Sequence, residues 1–246
     1  VAFLPTDLFV QFPNLLGCTQ DDKNFDLYKY IGENSWAIIF MHPGDFTPVC
    51  TTELATAAEL QWEFKNRGIK LCGFSCNDQR SHRRWISDIE FTVGIRIEFP
   101  LFCDPTREHA TNLGMLDPTN LGMDRLPLTL RGTYILKPDK TIALIMTYPH
   151  TLGRNFEEIL RVADGLQLSH RHEVCTPANW NKGDDVIVDL KLNDQEAVEK
   201  FGEDVRTVVL PSEEQDQPGD KHYLRYTSDP TTKQRKNRYR NAFQHF

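Results

Sequence analysis

Cys50 and the residues just before it have the types and the spacing of a reactive thiol site. The stretch HPGDFTPVCTTEL (residues 42–54) places Cys50 after two prolines and a threonine. A thiolate is the reactive form of cysteine, and a free thiol with a pKa of about 8.5 is only about 3% ionised at pH 7. Thr47 supplies a rigid hydroxyl, while Pro43 and Pro48 restrict the backbone. The pattern indicates nucleophilic thiol chemistry, or alternatively a buried structural cysteine with Thr47 as an ordinary helix N-cap.

The elements around Cys50 are those that would stabilise a thiolate. The apolar run WAIIFM (36–41) predicts a strand, and the pattern from Cys50 to Gly68 predicts a helix. Cys50 is therefore expected in the first helical turn, where free N–H groups and the helix dipole favour negative charge. Full ionisation would raise reactivity only about thirtyfold. Groups that position the substrate must supply the rest.

The remaining chain alternates strands and helices and then changes character. Further strands are predicted at 69–76 and 99–104, helices at 78–89, 105–114 and 155–169, and a hairpin around 137–140. This order predicts an α/β protein whose central sheet is covered on both faces. We expect a first domain at 1–175, a smaller β-rich module at 176–230 and a basic tail at 231–246.

Composition and charge restrict the function classes. The chain has 246 residues and a net charge of −7, which argues against general nucleic-acid binding. No apolar run approaches the roughly 20 residues of a membrane helix, so no stable membrane insertion is expected. Unlike the acidic chain as a whole, the tail is positively charged. It has no acidic residue and five basic ones: Lys233, Arg235, Lys236, Arg238 and Arg240. It is interpreted as a disordered end, with binding of anionic partners as the alternative.

Cysteine usage indicates a reducing compartment. The chain has six cysteines without a Cys-x-x-Cys motif or a dense disulfide pattern: Cys18, Cys50, Cys72, Cys76, Cys103 and Cys175. We therefore expect free thiols and a cytoplasmic location. No cofactor and no metal is expected.

The motif Pro43-x-x-x-Thr47-x-x-Cys50 resembles the active-site motif of peroxiredoxins, and DFTPVCTTEL resembles their one-cysteine (peroxiredoxin 6 type) branch. The resemblance continues through GMLDP, YPHTLGRNFEEILRVADGLQL, TPANW and YLRYT. It implies a thioredoxin-like fold with a central mixed sheet flanked by helices. It also implies an antioxidant homodimer that reduces hydrogen peroxide and organic hydroperoxides and maintains redox homeostasis.

The resemblance assigns roles to individual residues. Cys50 would be the peroxidatic cysteine, whose thiolate becomes a sulfenic acid that an external thiol, such as glutathione or a thioredoxin-like protein, resolves. Thr47 would bind the peroxide, Arg131 would hold the thiolate and polarise the peroxide, and Pro43 would shield the pocket. The residues matching positions that line or brace the site are His42, Val49, Glu53 and Arg154. An ordinary structural histidine is the alternative for His42.

Two departures from the family leave alternatives open. Cys175, in EVCTPANW, stands where two-cysteine peroxiredoxins carry a resolving cysteine, so Cys175 of the partner subunit could resolve Cys50 instead. The phospholipase motif of some members is broken at GENSWA, where Ser35 survives without its second glycine or a preceding histidine. Lipase chemistry is therefore not expected. A redox sensor or holdase, in which Cys50 oxidation changes assembly, is the alternative to a peroxidase.

Overall fold

The computed structural model describes residues 8–211 and 222–232. The chain divides into two compact units, of which the first ends at Phe156 and the second begins at Glu157. Of the predicted tail, residues 233–246 lie outside the described residues, so the tail interpretation stays a prediction. Within the described ranges, no helix has both the length and the apolar character needed to cross a bilayer.

The first unit is built on a mixed sheet. Its strands in chain order are β1 (Leu16–Thr19), β2 (Phe25–Asp26), β3 (Trp36–Met41), β4 (Ile69–Ser75), β5 (Leu101–Cys103), β6 (Leu116–Leu121), β7 (Pro127–Thr129), β8 (Arg131–Leu136) and β9 (Ile142–Tyr148). Among the described residues, seven of them form one sheet in the order β2-β1-β5-β4-β3-β8-β9, while β6 and β7 pair separately. The pairs β3–β4 and β4–β5 are parallel, and the remaining pairs are antiparallel. A central mixed sheet, as predicted, is confirmed.

Helices follow the parallel strands, as the sequence predicts. The helices of this unit are α1 (Leu27–Ile31), α2 (Pro48–Asn66), α3 (Gln79–Val93) and α4 (Glu108–Asn112). Asp78 caps α3 by accepting a hydrogen bond from the Ser81 backbone, and Gly94 ends the helix with a left-handed φ of 68°. Because α2 follows β3 and α3 follows β4, both helices begin just beyond the carboxyl ends of central parallel strands.

The core explains why β3 is a continuous apolar run. All six of its residues are buried, because both faces of the central sheet are covered. Ile39 belongs to a cluster with Cys72 and Phe74 of β4. On the other face, the ring of Phe40 packs against Phe64 of α2 and against Phe156.

The second unit is a small α+β module. Its elements are α5 (Phe156–His172), β10 (Val174–Cys175), β11 (Val186–Val188), α6 (Asp194–Phe201), a 3₁₀ turn (Gly202–Asp204), β12 (Arg206–Thr207) and β13 (Arg225–Thr227). The four strands found in the described residues form an antiparallel sheet in the order β10-β11-β13-β12. Leu168 of α5 lies in one apolar cluster with Trp180 and Val186. The contacts therefore group α5 with the C-terminal elements. The predicted domain boundary after residue 175 stays a prediction.

Several short elements were not anticipated from the sequence. The four residues of β1 include a glycine, and β6 contains Pro118, so neither reads as a strand. Helix α6 has eight residues and buries only Ala197 among them. A sequence signal did exist for α6, because Asn193 and Glu196 form a capping box at its start.

Candidate active site

Cys50 occupies the first turn of α2. Thr47 is the N-cap residue, with an extended backbone (φ −107°, ψ 143°), and Pro48 takes the first helical position. The side chain of Cys50 is fully buried, with 0% of its surface exposed. The N–H groups of a first helical turn have no acceptor within the helix, and their partial positive charge favours a thiolate at this position.

Arg131 makes direct contact with the sulfur. It is the first residue of β8, and its Nη1 donates a hydrogen bond to Cys50 Sγ over 3.2 Å. The same nitrogen donates to Glu53 Oε2 over 2.8 Å, while Nε and Nη2 donate to the carbonyl oxygen of His150 over 3.1 and 2.6 Å. Because an arginine side chain keeps its charge in proteins, the Cys50 sulfur faces a fixed, buried positive group.

Glu53 joins Arg131 to a second arginine. Its Oε1 accepts a hydrogen bond from the Arg154 backbone N–H over 2.9 Å and lies 3.8 Å from Arg154 Nε. Burial lowers the pKa of Arg154 to about 10, although the Glu53 carboxylate opposes this shift. Arg154 therefore remains charged at neutral pH. Two buried cations and one buried anion leave an excess positive charge that a Cys50 thiolate would neutralise.

Arg154 is held by more than this carboxylate. Its Nη2 donates to the carbonyl oxygen of Met41 at the end of β3, and its guanidinium lies over the ring of Phe40, 5.6 Å from the centroid. Its Nε and Nη1 are buried and have no hydrogen-bond acceptor among the described residues. These two nitrogens are donors that remain available within the site.

Thr47 does not use its hydroxyl to cap α2. The hydroxyl donates instead to the carbonyl oxygen of Gly44 over 2.9 Å. Thr47 is therefore the N-cap residue by position, but its side chain does not make the hydrogen bond of an ordinary N-cap. Pro43 is buried in the same loop, and Val49 is half-buried with its Cγ1 beside Gly153. The loop thus leaves the Thr47 oxygen lone pairs available one helical turn before Cys50.

His42 belongs to a buried network centred on Asp45. The Nε2 of His42 lies 3.2 Å from Asp45 Oδ1, and the other carboxylate oxygen contacts His82 Nδ1 at 2.8 Å and Ser81 Oγ at 2.7 Å. Burial lowers the pKa of His42, which keeps its ring neutral at pH 7, so Nε2–H donates to the carboxylate. Burial alone would raise the pKa of Asp45, but the hydrogen bonds from His42 and His82 hold it below its ordinary value. This network fits the structural alternative for His42 as well as a bracing role.

Cys175 lies in the second unit, on β10 opposite Ile187 of β11, and is exposed. Partial burial, followed by the nearby charge of Asp189, raises the pKa of the Cys175 thiol above its ordinary value. Cys175 is therefore accessible, but its environment does not lower its pKa as nearby positive charge would.

The structure adds residues that sequence reasoning missed. Each of them contacts the residues around Cys50 or a side chain that holds those residues in place: Asp45, Ser81, His82, Trp85 and His150. Only Asp45 lies in the motif itself; Ser81, His82 and Trp85 come from α3, and His150 lies two residues after the end of β9. Within the described ranges, no group of three His, Cys, Asp or Glu side chains is arranged to hold a metal ion.

Comparison with known families covers most of the chain. Residues 10–145 match the AhpC/TSA family, and residues 165–204 match the C-terminal domain of 1-Cys peroxiredoxin. A 1-Cys peroxiredoxin of Dirofilaria immitis is 43% identical over an alignment of 232 positions that covers 89% of this chain and 96% of the relative.

Solved structures agree with this assignment and with a thioredoxin-like fold. A cysteine-to-serine mutant of peroxiredoxin 6 from Arenicola marina superposes with a TM-score of 0.84 at 39% identity, covering 91% of this chain and 98% of that one. A yeast mitochondrial 1-Cys peroxiredoxin gives a TM-score of 0.79 at 38% identity, with coverages of 90% and 99%. The chain therefore belongs to the 1-Cys peroxiredoxins and is a thiol-dependent peroxidase.

Proposed function

We propose that Cys50 is the peroxidatic thiol of this enzyme and that hydrogen peroxide and organic hydroperoxides are its substrates. The Cys50 thiolate attacks the distal oxygen of the hydroperoxide and the O–O bond breaks. The sulfur becomes a sulfenic acid, and the leaving oxygen takes up a proton and departs as water or an alcohol. The observation that carries this proposal is the 3.2 Å hydrogen bond from Arg131 Nη1 to Cys50 Sγ in the first turn of α2.

Thr47 and Arg131 divide the work of binding the peroxide. Because the Thr47 hydroxyl donates its hydrogen to Gly44, its oxygen is an acceptor for the O–H group of the substrate. Arg131 is charged and faces the sulfur, so it stabilises negative charge both on the thiolate and on the leaving oxygen. The buried Pro43 excludes water from the site, since it offers no donor of its own.

The remaining site residues support these two groups. The Glu53 carboxylate accepts a hydrogen bond from Arg131 Nη1 and another from the backbone N–H of Arg154. One carboxylate therefore positions both arginines. Val49 packs beside Gly153, next to Arg154 in the chain, and His42 anchors the loop through Asp45.

An external thiol is proposed to return the sulfenic acid to the thiol. The yeast mitochondrial relative supports this, because its structure is described as a thiol resolving mechanism via glutathione/thioredoxin systems. The full burial of Cys50 favours a small thiol such as glutathione for the first attack, with a thioredoxin-like protein completing the reduction.

Resolution by Cys175 of the partner subunit is the second candidate. The exposure of Cys175 favours this route, because an exposed thiol can reach the sulfenic acid of a partner subunit. The raised pKa of Cys175 disfavours it, because less thiolate is available for attack.

A non-reducing gel with intact mass spectrometry separates these routes after one equivalent of hydrogen peroxide. The proposal expects wild type and Cys175→Ser to stay uncrosslinked and to gain one oxygen, which glutathione removes. A covalent dimer that is lost in both Cys50→Ser and Cys175→Ser would establish the two-cysteine route instead. Repeated turnover with glutathione or with a thioredoxin system distinguishes an enzyme from a sensor or holdase, which would be oxidised once.

We also propose a homodimer in the cytoplasm. The cysteine usage supports the location, because all six thiols are free in the structure. Light scattering of the purified protein tests the assembly, and fractionation of source cells tests the location. The tail is tested by removing residues 231–246, which should leave peroxidase activity unchanged.

A further inference from the structure

Cys18 and Cys103 face each other across two neighbouring strands. They are register partners in the antiparallel pairing of β1 with β5. Directly opposite residues on antiparallel strands project from the same face, with Cα atoms about 4.5–5.5 Å apart. That separation lies inside the range of about 4.4–6.8 Å spanned by disulfides.

The two thiols differ in environment. Cys103 is buried, with 5% of its surface exposed, whereas Cys18 is half-buried. Burial and then the interaction with the Cys18 thiol raise the pKa of Cys103, and the charges of Asp45 and Asp78 act in the same direction. Cys103 is therefore held as a thiol, and Cys18 is the one that an oxidant can reach.

We propose that Cys18 and Cys103 form a second peroxide-reactive site, at which excess hydroperoxide produces a reversible disulfide between β1 and β5. In the first step, Cys18 sulfur attacks the hydroperoxide, the O–O bond breaks, and Cys18 sulfenic acid forms with release of water or an alcohol. In the second step, Cys103 sulfur attacks Cys18 sulfur, the S–O bond breaks, and the thiol proton leaves with the hydroxyl as water. The two sulfurs together lose two electrons, which reduce the hydroperoxide.

The site is slower than Cys50 and is reversible. Among the described residues, Cys103 has no arginine donor like the one that Arg131 provides to Cys50, and the charges of Asp45 and Asp78 disfavour its thiolate, so disulfide closure is slow. Cβ atoms of opposite residues are usually about 4.5–5.5 Å apart, whereas those of a disulfide are about 3.5–4.5 Å apart. The strands must therefore draw together, and the strained bridge is readily reduced by external thiols. The site thus responds to peroxide levels above those that oxidise Cys50.

Cys72 and Cys76 provide an internal comparison. They are also buried, but they lie four positions apart along one segment, β4 and its next residue. An extended strand separates such residues by about 13 Å, which no disulfide can bridge. Proximity in the sheet, and not burial alone, singles out the Cys18–Cys103 pair.

The test uses the double variant Cys50→Ser, Cys175→Ser, which removes the peroxidatic thiol and the exposed thiol. The protein is treated with excess hydrogen peroxide, alkylated, digested and mapped by mass spectrometry, with and without dithiothreitol. The proposal expects a linked peptide pair containing Cys18 and Cys103, with loss of two hydrogens from the intact mass, and full recovery of both thiols after reduction.

Variants of the pair itself are the controls. Adding Cys103→Ser should abolish the linked peptides and let Cys18 proceed to sulfinic acid, while circular dichroism checks that the sheet is intact. Recovery of Cys18 as free thiol or as sulfinic acid without a linked peptide, in the double variant that retains Cys103, would overturn the proposal. Because this protein lacks Cys50, that result would leave the peroxidase assignment untouched.

Discussion

Arg131 and Cys50 are 81 positions apart in the chain, yet Nη1 of the arginine lies 3.2 Å from Sγ of the cysteine. The contact joins the first residue of β8 to the first turn of α2. It places the charged guanidinium of Arg131 beside the same sulfur atom that lies at the positive N-terminal end of the α2 dipole.

Replacing this guanidinium should slow the reaction with peroxide more than it weakens the fold. Arg131→Lys keeps a positive charge but cannot contact Cys50, Glu53 and His150 at once. We expect the second-order rate constant for Cys50 oxidation to fall by about 100- to 1,000-fold, as for loss of a donor that stabilises a transition state. Stopped-flow fluorescence with hydrogen peroxide measures this rate. Arg80→Lys, at an exposed position of α3, is the matched control and should react like wild type.

The hydroxyl of Thr47 should matter, and its methyl group should not. Thr47→Val removes the acceptor proposed for the peroxide, and the rate of Cys50 oxidation should fall by about 2- to 10-fold, the value of one hydrogen bond of about 0.5–1.5 kcal/mol between neutral groups. Thr47→Ser should restore most of the rate. Thr56→Val removes a hydroxyl later on the same helix and should have no effect. An equally slow Thr47→Ser enzyme would argue that shape, and not hydrogen bonding, is what Thr47 supplies.

Neutralising Glu53 should destabilise the fold. Glu53→Gln leaves Arg131 and Arg154 buried without their shared anion, and removing one partner of a buried ion pair costs about 3–5 kcal/mol. Urea unfolding followed by circular dichroism measures the free energy. Glu59→Gln, on an exposed position of the same helix, should change it by less than about 0.5 kcal/mol. A Glu53→Gln protein as stable as wild type would show that the two arginines do not depend on this carboxylate.

Stability should depend on pH through His42. Its folded-state pKa is lowered by burial, so the unfolded state binds more protons between that pKa and the unfolded value of about 6.5. The contribution is fully present above about pH 6.5 and is lost as the pH falls, by at most about 1.4 kcal/mol per pH unit. Unfolding free energies measured between about pH 7.5 and pH 5 should therefore fall less steeply for His42→Gln than for wild type.

The sequence predicted the parts of this site that are local in the chain. Thr47, Pro48 and Cys50 occupy a strand-to-helix turn, and breaker residues followed by an apolar helical pattern reveal such a turn. The role of Arg131 beside Cys50 was predicted only from the family resemblance, because nothing in composition or periodicity links these two distant residues.

Contacts made through the tertiary fold could not be predicted. The Asp45–His82 pair spans 37 positions, and the Cys18–Cys103 pair depends on β1 joining the sheet beside β5. Because β1 has only four residues and contains a glycine, it cannot be recognised as a strand from sequence, and its partner could not be inferred either. Register between distant strands is set by packing, which a single sequence does not display.

The most direct test of Cys50 as the peroxidatic residue is a single-turnover reaction of reduced protein with one equivalent of hydrogen peroxide, followed by rapid alkylation and peptide mapping. Wild type should carry one added oxygen on the Cys50 peptide, while Cys50→Ser should consume the peroxide no faster than a free thiol of the same concentration. A Cys50→Ser protein that reduces peroxide as fast as wild type would contradict the assignment of Cys50 as the peroxidatic residue.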